Sequence, residues 1–367
     1  MNKLKLAAVL LAASPSLAAQ TAGPPEPDPA GGDDPLVYEP IVVTADFRQR
    51  GLFDLGGSTT VIDAETIAQR NASHIDRVLN LAPNVNFATG ASRGRFFQIR
   101  GIGERSQFVE PMNASVGLLV DGINLTGLGG AATTLDIEQV EILRGPQGTL
   151  FGANALAGLI NMVSGAPTEV VTGGFEARVG QFGTRAVEGV LSGPVGDTLG
   201  LRAAASNYTS DGFQDNAFLG VDDNADFDET TLRTKLRWQP SDDLRVDLTG
   251  LYLDIDNGYD GFSLDNTRTT LSDLPGHDRQ QTLAGSAQLT WRAHRDFRVE
   301  ALLSHTDADG EYGYDEDWSF VGFCEVFDCL APAYSSFDNY IRDNRNTTLD
   351  LRAVSDSGSG ELGWVVG

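Results

Sequence analysis

The groups able to do chemistry in this chain are arginines set among glycines, a close pair of cysteines, and little else. The run 138–161 contains Arg144, Gly145, Pro146, Gly148, Gly152, Gly158 and Asn161. Glycines at that density either cradle a phosphate or let backbone approach backbone. A phosphate cradle needs Lys-Ser or Lys-Thr after the glycines, to supply a cation and a metal-binding hydroxyl. Neither follows here, so that chemistry is excluded. Cys324 and Cys329 stand close together, and none of the four His lies beside them, so a tetrahedral zinc site lacks ligands. In an oxidising compartment a local disulfide pinning a loop is the expectation, with no metal. The segments 88–95 and 103–113 read first as solvated loops, with Arg93, Arg95, Arg105 and Phe108 as the candidates to meet an anionic or aromatic group. No Ser/His/Asp or paired-carboxylate constellation is visible. Binding is therefore expected rather than turnover, with no enzyme activity and no cofactor.

The elements around these residues divide the chain in two. The stretch around Val140 and Ile142 reads as a strand, and 145–148 as a tight turn in which Pro supplies a fixed φ and Gly closes it. Gly152, Ala153, Ala155, Ala157 and Gly158 then allow close backbone approach. Upstream, 58–62 reads as a strand and 64–70 as a short helix. Residues 73–76 read as a capping box opening a helix that presents Ile75, Val78 and Leu79 on one face and stops at Pro83. Two more strands, 96–101 and 116–123, each close on glycine. Together these make a mixed α+β domain over 51–170.

Beyond 172 the period changes to two. Leu232, Thr234, Leu236 and Trp238 share one face, and Arg233, Lys235 and Arg237 the other. Leu244, Val246, Leu248 and Tyr252 oppose Arg245, Asp247 and Thr249. The same holds for Leu283, Ala287, Leu289 and Trp291 against Thr282, Ser286, Gln288, Thr290 and Arg292, and for Phe297, Val299, Ala301 and Leu303 against Arg298, Glu300, Ser304 and Thr306. One apolar and one polar face on strands of ~10 residues is the pattern of a membrane barrel with lipid outside and a wet lumen, although a soluble β-sandwich also alternates. Trp238 and Trp291 precede short polar turns, where interfacial aromatics belong, whereas the other connections, 255–280 and 307–344, are long.

Residues 1–19 carry a basic start, a short apolar stretch and a small-residue cleavage site, the features of a secretory signal peptide. No run of about 18 apolar residues follows, so a membrane crossing here is by strands. The formal net charge is -25, with 51 acidic against 26 basic residues, which argues against nucleic acid as a partner. Residues 20–50 form a Pro/Gly/Asp-rich tether, too short for a separate core before 39. It contains Glu39, Pro40, Ile41, Val42, Val43, Thr44 and Ala45, a β-branched run suited either to being lent to another sheet or to serving as the first strand of the following domain.

The order of these features, and above all the run around Arg144, resembles the plug of TonB-dependent outer-membrane receptors, and 39–45 resembles their TonB box. Ser164-Gly165 departs from the Thr-Lys frequent in the family after the motif's Asn. The resemblance implies a plug over 51–170 and part of an antiparallel barrel over 172–367, roughly nine of about 22 strands. It implies outer-membrane lipid around the barrel, TonB as the partner gripping the box, and active uptake of a small extracellular ligand, a ferric siderophore first, with cobalamin or an oligosaccharide behind it. It also implies that Arg100 and Arg144 lock the plug to glutamates on the barrel wall. An open half-barrel leaves edge groups unpaired, so a truncated product whose plug binds ligand or TonB without transport is the alternative expectation.

Overall fold

The computed structural model describes residues 42–43, 50–51, 56–89, 91–106, 114–148, 154–328, 334–355 and 363–367. The proposed signal peptide, most of the tether, Phe108, Gly152 and Cys329 lie outside them, as do Glu39, Pro40, Ile41, Thr44 and Ala45 of the box.

The N-terminal domain is built on a five-stranded sheet in the order Ser58–Asp63, Ile137–Arg144, Gly158–Ser164, Val116–Val120, Ile123–Asn124. All neighbours are antiparallel except Val116–Val120 beside Gly158–Ser164. Val85–Ala88 and Phe96–Ile99 make a separate hairpin-like pair. Helix Ala64–Gln69 starts where Asp63 accepts the Thr66 N–H at 2.8 Å, satisfying one of the free donors of the first turn. The next helix is Asp76–Leu79, and Ile75, Val78 and Leu79 are fully buried as their spacing predicts. The capping box expected at 73–76 is not formed. Ser73 lies in a bend, its carbonyl accepting the Thr134 N–H, and the N-cap residue is Ile75, which makes no side-chain cap bond. His74 instead pairs across to Thr133 as an isolated bridge.

A nine-stranded antiparallel meander follows, each strand bonded to the next from Thr172–Val179 to Val365–Val366. The alternation falls as expected, and the contact surfaces sharpen its meaning. Leu232, Leu248, Leu283 and Leu303 are exposed on the outer face, whereas Arg233 is 2% exposed on the inner. A polar buried face and an apolar exposed one invert a soluble sheet and suit lipid outside. The inner face is not uniformly polar. Leu251, Leu253, Ile255 and Ala284 occupy inner positions and join the core of the N-terminal domain. The wet lumen expected from the sequence is, along this seam, a packed contact with protein.

The strands also run farther than expected. Leu244–Tyr259, Gly276–His294, Phe297–Asp315 and Phe337–Ser355 have 16, 19, 19 and 19 residues, so the long connections shrink to 260–275 and 316–336. At about 3.3 Å per residue such strands far exceed an apolar band of about 25 Å. Beyond the band the outer positions are polar, as at Asp254 and Asp256. Alternation fades there while the ladder continues.

Candidate functional site

The segment 91–95 carries the densest polar links between the N-terminal domain and the strand wall. Ser92 donates both its N–H (3.0 Å) and its hydroxyl (2.6 Å) to Asp278 Oδ2. Arg93, 4% exposed, donates Nε and Nη2 to the two oxygens of Glu229, each at 2.7 Å. Such a fork is the strongest geometry open to this pair. The same guanidinium lies over Phe227 and Tyr208, with Cζ 4.8 and 5.4 Å from the ring centres. Arg95 pairs with Asp278. Asn257 joins the two acceptor groups, donating to Ser92 Oγ at 2.8 Å and to Glu229 Oε1 at 2.9 Å.

The segment is also held from within its own domain. Gly94 N–H donates to Asp76 Oδ2 at 3.1 Å, and the buried His74 ring has Nε2 2.8 Å from the Gly129 carbonyl and Nδ1 3.1 Å from Asp76 Oδ2. Burial alone would raise the Asp76 carboxyl. His74, Arg93 and the Gly94 N–H outweigh it and hold that carboxyl well below the usual range. For Arg93 burial opposes the charge, but Glu229 outweighs it and the guanidinium stays ionised.

A second set of links lies along the same wall. Arg202 donates Nε to Asp136 at 2.7 Å and pairs with it through Nη2. Lys235 Nζ reaches Asp121 Oδ1 at 3.0 Å, and Ser164 donates its N–H and hydroxyl to the same carboxylate. Burial would raise Asp121, while Lys235, Arg233 and Ser164 bring it below its ordinary value. Ser286 and Thr306 of the wall donate to the carbonyls of Asp121 and Asn124.

Between domain and wall is a small cleft, partly open to solvent, with a cavity volume of about 20 Å³. Arg95 and Leu128 line one side, and Gln280, Tyr312, Tyr340 and Arg342 the other. Tyr312 stacks with Tyr314 and Tyr340 and lies under Arg95. Two cations, an amide and aromatic faces suit an anionic or aromatic group.

The structure redistributes the residues singled out from sequence. Arg93 is committed to Glu229, so it is no free ligand contact, and Arg95 is pinned to Asp278 yet lines the cavity. Arg105 is exposed. Arg144 does not meet a wall glutamate among the described residues. It donates to the Pro83 carbonyl at 2.9 Å, to Ser58 Oγ at 3.1 Å and to Thr60 Oγ1, all in its own domain. Its pKa is lowered by burial and then by Arg100, opposite to the effect of a carboxylate partner. Arg100 is exposed, in a left-handed turn at φ 55.

Residues 145–148 are not the expected tight turn. Gly145 and Gln147 continue the ladder, donating N–H groups to the carbonyls of Ala157 and Ala155. Close approach is real at Gly158, where an added Cβ would stand 2.3 Å from the Leu143 carbonyl oxygen at φ +156. Asn161 donates to the buried Glu141 at 2.9 Å. Val42–Val43 pairs with Arg50–Gly51, and Val43 is fully buried beside Leu143 and Leu159. Cys324 is disulfide-bonded within the loop that carries the helix Phe323–Phe327.

Glu229, Asp278, Asp76 and Asn257 were missed by sequence reasoning. The available signal was parity: Glu229 lies on the face of Arg233 and Lys235, and Asp278 on that of Gln280 and Thr282.

The family model for the TonB-dependent receptor plug domain matches residues 52–159. The pesticin receptor of Yersinia enterocolitica is 29% identical over 187 residues, covering 50% of this chain and 27% of that protein. The vitamin B12 transporter BtuB of Vibrio vulnificus is 31% identical over 130 residues, 34% of this chain and 20% of that protein. Among solved structures, the ferric yersiniabactin uptake receptor FyuA of Yersinia pestis superposes with TM-score 0.70 at 21% identity, covering 84% of this chain and 47% of its own. The ferripyoverdine receptor of Pseudomonas aeruginosa does so with TM-score 0.68 at 19% identity, covering 86% and 42%. The chain thus spans about a quarter of the length of the curated relatives and under half that of the solved receptors.

Proposed function

Because this chain belongs to the TonB-dependent receptors of the outer membrane, as their plug and leading barrel strands, we propose that the receptor it forms takes up a scarce small ligand, a ferric siderophore. The observation that carries this reading is the lining of the small cleft between the plug and the wall, whose volume of about 20 Å³ would take a single group of the ligand and not the whole of it. Its guanidinium groups and tyrosine faces complement the anionic, often aromatic, iron-binding arms of such a ligand. Support also comes from the names of similar proteins: a ferric yersiniabactin uptake receptor and a ferripyoverdine receptor. The relative named as a vitamin B12 transporter keeps cobalamin as the second candidate.

The coupling partner in this reading is TonB, which grips 39–45. Val43 is buried in the resting plug, so the box strand must leave its pairing with Arg50–Gly51 before another sheet takes it. Exposing a valine side chain costs about 1.5–3 kcal/mol, a small barrier that ligand binding can shift. Arg100 and Arg144 remain proposed contacts to barrel glutamates.

The test is binding of a panel of ferric siderophores and cobalamin to the purified receptor, followed by tyrosine fluorescence. Saturable quenching by one ferric siderophore, weakened by Tyr340→Ala, supports the reading. Saturation by cobalamin alone replaces the ligand, and no saturable binding across the panel removes the proposal.

A further inference from the structure

The wall presents three cations to two plug carboxylates. Asp136 is taken by Arg202 and Asp121 by Lys235. Arg233 donates to the carbonyl of Leu135, the residue before Asp136, and among the described residues Asp121 and Asp136 are the carboxylates that act on it, while Glu138, exposed at the margin, acts on Arg202. Arg202 and Lys235 are cross-strand partners, as are Ala204 and Arg233, so the three cations form one patch on the inner wall. Arg233 is buried and donates Nη1 to the Leu135 carbonyl. Its Nε and Nη2 have no hydrogen-bond partner among the described residues.

A buried guanidinium with two idle donors, attracted by two carboxylates but hydrogen-bonded to neither, is under-satisfied in the resting state. The same group near two carboxylates, each in direct contact with another cation of the wall, favours any displaced arrangement in which one of them transfers to it. We propose that Arg233 is the transfer partner of the plug: when the plug is displaced, Asp136 or Asp121 leaves its resting cation and pairs with Arg233, lowering the barrier to release. The proposal rests on the plug movement contained in the uptake reading. It assigns that movement a positioning residue on the wall. Asp136 has the freer route, since among the described residues its one side-chain partner is Arg202, whereas Asp121 is also bound by Ser164.

Arg233→Met in the full-length receptor, reconstituted in a bilayer, tests this through two signs. A structural arginine would, when lost, lower both the thermal midpoint and the force needed to draw the plug out by its N-terminal segment. A transfer partner predicts a midpoint unchanged or higher, together with a higher extraction force and an extraction rate at fixed load slower by about fivefold or more. Arg233→Lys, which restores a cation without the fork, should return the rate part of the way. A lower midpoint, a failure to fold, or an unchanged extraction rate overturns the proposal. These readouts need no ligand. If wild-type cells take up no siderophore, the uptake reading fails while Arg233 is still judged by force and midpoint.

Discussion

Arg93→Met should be among the most damaging single changes at the seam between plug and wall. The guanidinium fork to Glu229, at 2.7 Å on both arms, is buried on both sides. Removing one member of a buried pair leaves an uncompensated charge, with a typical cost of about 3–5 kcal/mol. Here the stranded Glu229 keeps, among the described residues, a single side-chain donor, Asn257 at 2.9 Å. The cation contacts to Phe227 and Tyr208 are lost as well, at about 0.5–2 kcal/mol. The sum is about 5 kcal/mol, taking the middle of the first range with a partial second term. Glu229→Leu alone strands Arg93 and should cost a similar amount, although Asp76 still lies near that guanidinium. The double variant removes both charges and should return to within about 1 kcal/mol of wild type, because apolar replacement of a whole buried pair is often neutral. Urea unfolding of the plug, followed by protease accessibility of the four proteins, gives the coupling energy directly. A cost below about 1 kcal/mol for Arg93→Met, or additive single effects, would show that the fork does not hold plug to wall.

Three further outcomes follow from the same geometry. Arg144→Ala should loosen the plug internally by about 2–3 kcal/mol, since the Pro83 carbonyl and the Ser58 and Thr60 hydroxyls lose their donor; unchanged protease resistance and thermal unfolding would contradict it. Gly158→Ala should cost about 3 kcal/mol, because a Cβ meets the Leu143 carbonyl oxygen and the backbone stands where alanine is strained; a midpoint equal to wild type would refute the close approach. Acidification should weaken the plug through Asp76. Its folded pKa is depressed below the unfolded value of about 3.9, so its contribution is fully present above about pH 5 and drains away as pH falls through the folded value. Asp76→Asn should flatten that acid slope, measured as stability against pH, and an unaltered slope would remove Asp76 as its source.

Local and periodic features were legible in the sequence. The faces of Ile75, Val78 and Leu79, the strand leading into Arg144, and the two-residue period of the wall all depend on near neighbours. The seam was not legible for three physical reasons. Arg93 and Glu229 are far apart in sequence and meet only when the sheet wraps the plug. Leu251, Leu253 and Ile255 sit at positions that continue a polar face, because there the inner wall meets protein instead of water. The turn expected at 145–148 is replaced by a bend at Gly145, φ 109, because the N–H groups of Gly145 and Gln147 stay bonded to the distant Ala157 and Ala155 carbonyls, which local composition does not reveal. Ser73 offered the chemistry of a cap, but its backbone was already engaged with Thr134.

The most direct test of the account is uptake of radioactive iron, supplied as the siderophore bound by the purified receptor, in iron-starved cells with and without the receptor and with and without TonB. The account predicts accumulation that needs both and that falls when Val43 and its box neighbours are deleted. Accumulation independent of TonB, or none in cells carrying the intact receptor, would contradict it.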